Sequence, residues 1–358
     1  MNASTWHAYC VTPDPPEPAP LTRQQWKRLS DNELAIRIAE TDRWLARFFV
    51  HTPELDLCHE WLTKLVHDNA NAPPGAKEIA ALDGVNLAGK STFLMRWARA
   101  HYLKCLEDSE TDASGRPVRL LAPGTVADVF PVIWTNLQSP RKETISKQKS
   151  LDSGILKYCS LPHEGVGRDL TYRAVDALRR HNAKVVIIDD IHFLETSPSR
   201  DAQVVLDHIK HMNTQIGDLA GTLIVAGANL GGGEFSTDPQ IRGRLQTRTI
   251  RTYEAYWPDE LRAWAPIVRD FEVAVLPHLP AGKPGMLYET LLGELAYRTQ
   301  GYVGDLRTLV RVAALAAMRD GSHAIRRKHV NAVILNDRAE ADKPERSTEA
   351  RLRNHESD

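Results

Sequence analysis

The sequence predicts an α/β fold in which a parallel five-stranded sheet lies between layers of helices. Short apolar runs alternate with segments of helical length, as expected for parallel strands that are buried on both faces. The five runs are EIAALDGV (78–85), VADVFPVIWTNL (126–137), KVVIIDDI (184–191), GTLIVAGAN (221–229) and RTIRTYEAY (248–256). One intervening helix is indicated because Val205, Ile209, Met212 and Ile216 recur at helical spacing.

Composition narrows the class of protein. The 358 residues are 42% apolar and 25% charged, enough for a main domain with a sizeable core and additional parts. The net charge of −1 gives no general attraction to nucleic acid, so any such contact would need a local basic patch. The four cysteines lie far apart, which argues against a disulfide framework or a zinc site. Without a signal-like start or a membrane-length apolar run, we expect a soluble cytoplasmic protein with no membrane partner.

The regions outside the sheet predict four further parts. Residues 1–21 are proline-rich, and they predict either a disordered arm or an ordered strap that docks on a partner. Residues 22–70 predict an N-terminal helical extension, which a linker joins to an αβα core at 71–257. Residues 258–335, which include GMLYETLLGELAYRTQG and GDLRTLVRVAALAAMRDG, predict a helical lid. The highly charged tail, residues 336–358, is predicted to be disordered.

A phosphate-binding loop is predicted by GVNLAGKS, which matches G-x-x-x-x-G-K-[ST]. The glycines let backbone N–H groups face phosphate oxygens, Lys90 reaches the β- and γ-phosphates, and Ser91 can ligate Mg²⁺. The loop follows a predicted strand and precedes a predicted helix, whose N-terminus attracts anions. The alternative is an ordinary glycine turn. We therefore predict ATP and Mg²⁺ as cofactors, with nucleotide contacts from Gly84, Val85, Asn86, Leu87, Ala88, Gly89, Lys90, Ser91 and Thr92.

Two adjacent carboxylates end the third predicted strand, in KVVIIDDIHFL. Buried neighbouring carboxylates are costly without a cation, so Asp189 is predicted to hold Mg²⁺ together with Ser91. Asp190 is predicted to act as the general base on the attacking water. Aspartate is one methylene shorter than glutamate, so we expect slow turnover. The alternative to these catalytic roles is that the two aspartates belong to an ordinary Asp-rich turn after the strand.

Four further polar residues are individually weak signals. Asn229 follows a predicted strand, where asparagine is usually a turn residue. Arg242, Arg244 and Arg307 would ordinarily face solvent. Their order after the phosphate loop and the Asp pair resembles that of the AAA+ ATPases. In that superfamily the matching positions imply that Asn229 is sensor 1, Arg244 the arginine finger and Arg307 sensor 2, with Arg242 as the alternative finger.

Within that superfamily the chain most resembles the TniB/TnsC group, which are ATP-dependent regulators of bacterial DNA transposition. The resemblance is carried by VVIIDDIHFL, AGANLGGGEFS, QIRGRL and RTQGYVGDLRTLVRVAALAAMRDGSHAIRRKHVNAV. It departs from the usual pattern at Asp190, where glutamate is common, and at Leu245, where phenylalanine is common. The resemblance implies a homo-oligomeric ring or filament, because a finger acts on a neighbouring subunit. It also implies double-stranded DNA and a transposase or integrase-like protein as partners.

The resemblance further implies a DNA contact after the second strand, in SPRKETISKQKS (139–150). Its cations Arg141, Lys142, Lys147 and Lys149 could neutralise phosphates of any sequence, or form an ordinary solvated charged face. A different class of function is a signalling ATPase in a defence system, which would act on a protein partner without DNA. A helicase-loading ATPase of the Orc type is a third possibility, which the lack of an evident winged-helix domain after residue 335 disfavours.

Overall fold

The computed structural model describes residues 1–122, 125–137, 147–191, 199–230, 238–254 and 258–341. The chain divides into two compact units. The first contains Met1–Pro13 and Pro53–Ile250, and the second contains Asp14–Thr52 and Arg251–Asp358. The chain therefore passes between the units at three places, and the predicted helical extension at 22–70 is shared between them.

The first unit is built on a parallel sheet. The described strands are β1 (Ile79–Asp83), β2 (Glu110–Thr111), β3 (Pro117–Ala122), β4 (Thr125–Asp128), β5 (Val132–Asn136), β6 (Val185–Asp189), β7 (Thr222–Ala226) and β8 (Leu245–Thr249). Five of them pair in parallel in the order β5-β6-β7-β1-β8. Every residue of β6 and β7 is buried, as helices on both faces of a parallel sheet require. The predicted parallel five-stranded sheet is confirmed.

Helices cover this sheet and form the second unit. The described helices of the first unit are α1 (Ala3–Val11), α4 (Pro53–Asn71), α5 (Lys90–Glu107), α6 (Lys147–Tyr158), α7 (Gly167–Arg180), α8 (Ser199–Gly217) and α9 (Pro239–Arg242). Those of the second are α2 (Arg23–Trp26), α3 (Asp31–Arg47), α10 (Pro258–Val275), α11 (Leu292–Thr299), α12 (Val303–Arg319), α13 (Arg327–Ala332) and α14 (Asp337–Ala341). The predicted stripe on α8 is fully buried, from Val205 to Ile216. In the described ranges no helix is long and apolar enough to cross a membrane.

Two strand predictions are corrected. The last strand lies at Leu245–Thr249 rather than at 248–256, because β8 is an edge strand of polar, half-exposed residues that an apolar-run criterion overlooks. The predicted run at 126–137 is divided between β5 and β4. The strands β2, β3 and β4 form a separate antiparallel sheet, which the sequence did not predict because these strands are short and largely exposed.

The N-terminal segment is also corrected, because residues 3–11 form a packed helix rather than an extended arm. Asn2 caps α1 by accepting a hydrogen bond from the backbone N–H of Thr5. Trp6 is fully buried, and the centre of its ring lies 6.1 Å from the centre of the Trp134 ring. Arg99 of α5 donates to the carbonyl oxygens at the end of α1. This helix therefore belongs to the core of the first unit.

The second unit departs from prediction at two places. The predicted helix at 285–301 begins only at Leu292, because the buried carboxylate of Glu272 accepts the backbone N–H groups of Gly285 and Leu287 and holds this segment in turns. Part of the predicted disordered tail is ordered as α14, in which Ala339 is fully buried. Residues 342–358 lie outside the described part of the chain.

Candidate nucleotide-binding site

The carboxyl ends of three neighbouring strands bring most of the predicted site together. The predicted phosphate loop follows β1, Asp189 ends β6, and Asn229 follows β7. Because β6, β7 and β1 are adjacent in a parallel sheet, these residues lie along one edge. Ligands of open α/β sheets bind at this edge.

The loop backbone has the curled form that phosphate binding needs. Gly84, Leu87 and Gly89 all have positive φ angles, of 149°, 68° and 105°. At Gly84 a Cβ atom would lie 2.2 Å from the backbone oxygen of Ile250, so only glycine is accommodated there. Gly89 is the N-cap of α5 and supplies no side-chain cap, which leaves the first N–H groups of this helix available to an anion.

The remaining loop residues divide into exposed and buried positions. Val85, Asn86 and Leu87 are exposed at the loop tip, whereas Ala88 is buried beneath it. Thr92 is exposed in the first turn of α5. The tip of the loop is thus exposed to solvent, while Ala88 is buried.

Lys90 lies inside the loop. Its Nζ atom donates to the carbonyl oxygens of Gly84, at 2.6 Å, and Val85, at 2.9 Å. Burial lowers the pKa of Lys90, and the carboxylates of Asp189, Asp83 and Asp190 act in the opposite direction. The ammonium group of Lys90 therefore lies among carboxylates and loop carbonyl oxygens. A phosphate that binds Lys90 would have to replace these groups as its partners or share the ammonium group with them.

The Asp pair is arranged as two different environments. Asp189 is 4% exposed, and this burial raises its pKa, while a hydrogen bond with Ser91 lowers it. Asp190 has a left-handed backbone with φ 59°, and its N–H donates to Asp189 Oδ1 at 3.0 Å. The Asp190 carboxylate turns instead toward Asn136 at the end of β5, whose Nδ2 donates to Asp190 Oδ2 at 3.2 Å.

The donors present suit Mg²⁺. A buried carboxylate beside a hydroxyl, next to a phosphate loop, offers the oxygen ligands that Mg²⁺ prefers, with phosphate oxygens and water completing its shell. The described residues contain no cluster of three or more potential metal-ligating side chains.

Two contributors to this edge were missed from the sequence. The Asp83 carboxylate oxygen Oδ1 accepts the N–H of Gly84 at 2.7 Å and of Leu230 at 3.1 Å. It therefore ties the start of the loop to the turn that contains Asn229, which has φ 58° and is exposed. Asn136 is the second residue that the sequence analysis missed. The feature that could have identified it is a polar side chain at the end of the neighbouring strand.

The two predicted finger arginines precede β8, whereas the loop and the Asp pair follow their strands. Arg244 is exposed, and its carbonyl oxygen accepts the N–H of Ile79, which places it at the amino end of the strands. Arg242 is exposed at the end of α9.

Two groups of predicted site residues cannot be related to the loop. Arg307 belongs to α12 of the second unit, where burial and the nearby Arg311 lower its pKa. Arg141 and Lys142 lie outside the described residues. Lys147 and Lys149 belong to α6, but their side chains are outside the described part.

This loop, carboxylate edge and parallel sheet define an AAA+ P-loop ATPase fold, which solved structures share. The chain is similar to the Aeropyrum pernix Orc1 protein, solved in complex with DNA, with a TM-score of 0.52 and 20% identity over 84% of this chain and 67% of that one. It is also similar to the Aeropyrum pernix Orc2 protein in its ADP form, with a TM-score of 0.52 and 15% identity over 84% and 72% of the two chains. At these identities the likeness shows the fold.

The family is shown by sequence. Residues 47–255, more than half of the chain, match the family model described as bacterial TniB protein. The chain belongs to that family, as the sequence resemblance predicted. No curated protein matches the chain in sequence.

Proposed function

We propose that this protein is an ATP-binding and slowly ATP-hydrolysing switch that oligomerises on double-stranded DNA. In this role it regulates target selection and transposase activation in bacterial DNA transposition. The observation that carries the proposal is the joining of Lys90, Ser91 and the Asp pair at one sheet edge of a TniB-family chain. Partners are duplex DNA, further copies of this chain and a transposase or integrase-like protein.

The residues divide the work as follows. The loop N–H groups and Lys90 bind the phosphates, and Ser91 and Asp189 would hold Mg²⁺, which supplies charge neutralisation on the phosphates when bound. Asp190 accepts a proton from the attacking water, with its carboxylate oriented by Asn136. Asn229, exposed in the turn after β7, orients this water or the γ-phosphate. The short Asp190 side chain makes this step slow.

Arginines complete the site. Arg244 is proposed as the finger that reaches the nucleotide of a neighbouring subunit, which requires a head-to-tail contact between copies. Arg307 is proposed to contact the phosphates from the helical lid. The cations Arg141, Lys142, Lys147 and Lys149 are proposed to neutralise DNA phosphates, which makes binding salt-dependent.

The decisive experiment measures duplex DNA binding and particle size together, with no nucleotide, ADP, ATP and a non-hydrolysable ATP analogue, at two salt concentrations. Binding and assembly that require ATP and weaken with salt support the proposal. Assembly with ATP but without DNA affinity would instead favour a signalling ATPase directed at a protein partner. If ATP produces neither DNA binding nor assembly, the proposed function is without support.

Single variants test the parts. Lys90→Ala should abolish ATP binding, whereas Lys104→Ala, an exposed lysine on the same helix, should leave it intact. Asp190→Asn should preserve binding and remove hydrolysis. Arg244→Ala subunits mixed with wild type should reduce activity more than simple dilution does. Retained nucleotide affinity in Lys90→Ala would refute the loop assignment.

A further inference from the structure

A cavity of about 490 Å³ lies within the second unit. One wall is the turn segment 281–291, which precedes α11, and the other is the segment 324–327, which leads from α12 into α13. None of the residues that line it is among the predicted nucleotide contacts. Its volume is typical of ligand pockets, which measure about 300–1,000 Å³.

Two hydrogen bonds hold the walls of this cavity together. The backbone N–H of Ala281 donates to the carbonyl oxygen of His323 at 3.0 Å, and that of Ile325 donates to the sulfur of Met286 at 3.2 Å. The first wall is also fixed by Glu272, whose buried carboxylate accepts two backbone N–H groups of this segment. The cavity is therefore formed in the folded chain, and a ligand would bind without the cost of ordering it.

The inner surface of the cavity is aliphatic. Met286, Leu291 and Ile325 line it and are buried in the chain. Among the described residues that line the cavity, none is aromatic. Nucleic-acid bases bind proteins largely by stacking on aromatic side chains, whereas a flexible methionine adapts to aliphatic groups of different shape. The inner surface therefore suits an aliphatic side chain better than a base.

The rim of the cavity is basic. Lys283, Arg326 and Arg327 line it and are exposed, and no acidic residue of the described ranges lines it. Arg327 Nε lies 3.7 Å from the carboxylate of Glu294. Within the described part of the chain, neither Lys283 nor Arg326 forms an ion pair. At least two cations are thus available to the carboxylates of a ligand.

Charge and shape together favour a peptide over a nucleic acid. A peptide with an aliphatic side chain between acidic residues can fill the inner surface and pair with the rim at the same time. Duplex DNA would place phosphates on the rim, but it has no aliphatic group that could fill the cavity. The complementary ligand is therefore an acidic protein segment.

We propose that this cavity binds an acidic segment of a partner protein. An aliphatic side chain of that segment fills the cavity, and its carboxylates pair with Lys283, Arg326 and Arg327. The inference goes beyond the proposed function, because this binding requires neither ATP nor DNA. The second unit then carries a protein-docking site made of residues that the nucleotide-binding site does not use.

The test measures the binding of short fluorescein-labelled peptides to the full chain by fluorescence anisotropy, without nucleotide. The peptides carry a central leucine, isoleucine or methionine between aspartates and glutamates. Matched peptides have a central serine, or lysines in place of the acidic residues. At least one aliphatic acidic peptide should bind about tenfold more tightly than both of its matched peptides, because each of these lacks one half of the complementarity. This binding should weaken as salt is added.

Protein variants locate the binding. Arg326→Glu and Lys283→Glu should each weaken peptide binding about tenfold, because an attraction becomes a repulsion. Arg262→Glu is the matched control, because Arg262 is 77% exposed, pairs with Asp259 and does not line the cavity. Ala324→Leu, which fills part of the cavity, should also weaken binding, with folding checked by thermal melting. If Ala324→Leu is unstable, the serine-centred peptide tests the inner surface on the wild-type chain.

Three results would overturn the inference. The first is that no aliphatic acidic peptide binds more tightly than its serine or lysine counterpart. The second is that Arg326→Glu binds the peptide as tightly as Arg262→Glu does. The third is that labelled duplex DNA, used as a second probe, binds and is lost in Arg326→Glu while no peptide binds, which would assign the cavity to nucleic acid.

The fate of the proposed function is read separately. Affinity for a fluorescent ATP analogue is measured on the same wild-type chain and on Arg326→Glu, which should bind the analogue equally. A wild-type chain that binds the peptide but not the analogue rejects the proposed function and leaves this inference standing. Binding of the analogue without any peptide binding rejects only the inference.

Discussion

Gly84→Ala should weaken nucleotide binding by closing the space between the phosphate loop and the end of β8. The φ angle of +149° already disfavours any side chain at this position. In addition, the new Cβ atom would lie 2.2 Å from the carbonyl oxygen of Ile250, against 3.4 Å or more for an ordinary contact. The loop must therefore move by more than about 1 Å, since its obstacle is backbone rather than a flexible side chain.

The magnitude follows from two separate costs. A non-glycine residue in a disfavoured backbone region costs about 1–3 kcal/mol, and overpacking adds about 1–3 kcal/mol. Gly115→Ala is the matched control, because Gly115 also has a positive φ, of 77°, but has open space around its Cβ position. Gly115→Ala should lose only the stability that corresponds to the disfavoured backbone conformation. The free energy of unfolding should thus fall further in Gly84→Ala than in Gly115→Ala.

Two measurements check this reasoning. Urea unfolding of the nucleotide-free variants gives the difference in stability, and titration with a fluorescent ATP analogue gives the affinity. A loop shift of about 1 Å should weaken analogue binding roughly tenfold to a hundredfold, whereas Gly115→Ala should bind like wild type. Suppose that Gly84→Ala and Gly115→Ala prove equally stable, with the affinity of Gly84→Ala for the analogue unchanged. That result would refute the claim that the end of β8 fixes the loop.

Three further predictions concern stability. Because burial raises the pKa of Asp189, its charge is penalised at neutral pH, so Asp189→Asn should raise the melting temperature while reducing ATP hydrolysis; an unchanged or lower melting temperature contradicts this. The hydrogen bond from Lys210 leads the causes that lower the pKa of Asp238 to about 2, so its stabilising contribution is present above about pH 4 and is lost as pH falls through 2. Asp238→Ala, which removes the cap of α9, should then cost about 1 kcal/mol in urea unfolding at pH 7 and less at pH 2, where about half of the native carboxyl groups are protonated, and equal losses at both pH values count against it. Trp6→Ala should cost about 3–5 kcal/mol, and a loss below about 1 kcal/mol would mean that α1 does not belong to the core.

The features that could be predicted from sequence are those encoded locally. The loop is specified by eight consecutive residues, and the buried strands by continuous apolar runs, so the parallel sheet and its loop follow directly. The edge strand β8 was misplaced because LQTRT is polar and only half-buried. The helix α1 was missed because the proline-rich run that follows it dominated the composition of its segment, although Trp6 anchors it in the core.

The contacts that could not be predicted join residues far apart in the chain. Asn136 meets Asp190 only because β5 and β6 are neighbours in the sheet. Asp305 meets Arg338 because a charged tail folds back on the lid, where the ion pair compensates for charges that otherwise indicate disorder. Composition cannot distinguish a charge that is solvated from one that has a buried partner.

The polarity of the sheet bears on how the site is completed. In the pairing of β1 with β8, Ile79 is opposite Leu245 and Asp83 is opposite Thr249, so β8 runs from the amino edge to the edge that carries the loop. Arg244 precedes this strand, and at about 3.3 Å per residue it lies roughly 17 Å along the strand from the end next to Gly84. That separation exceeds the reach of one side chain, so Arg244 is poorly placed to serve the loop of its own chain. If Arg244 acts as the proposed finger, it must therefore act on the loop of a second copy, as the proposed head-to-tail contact requires.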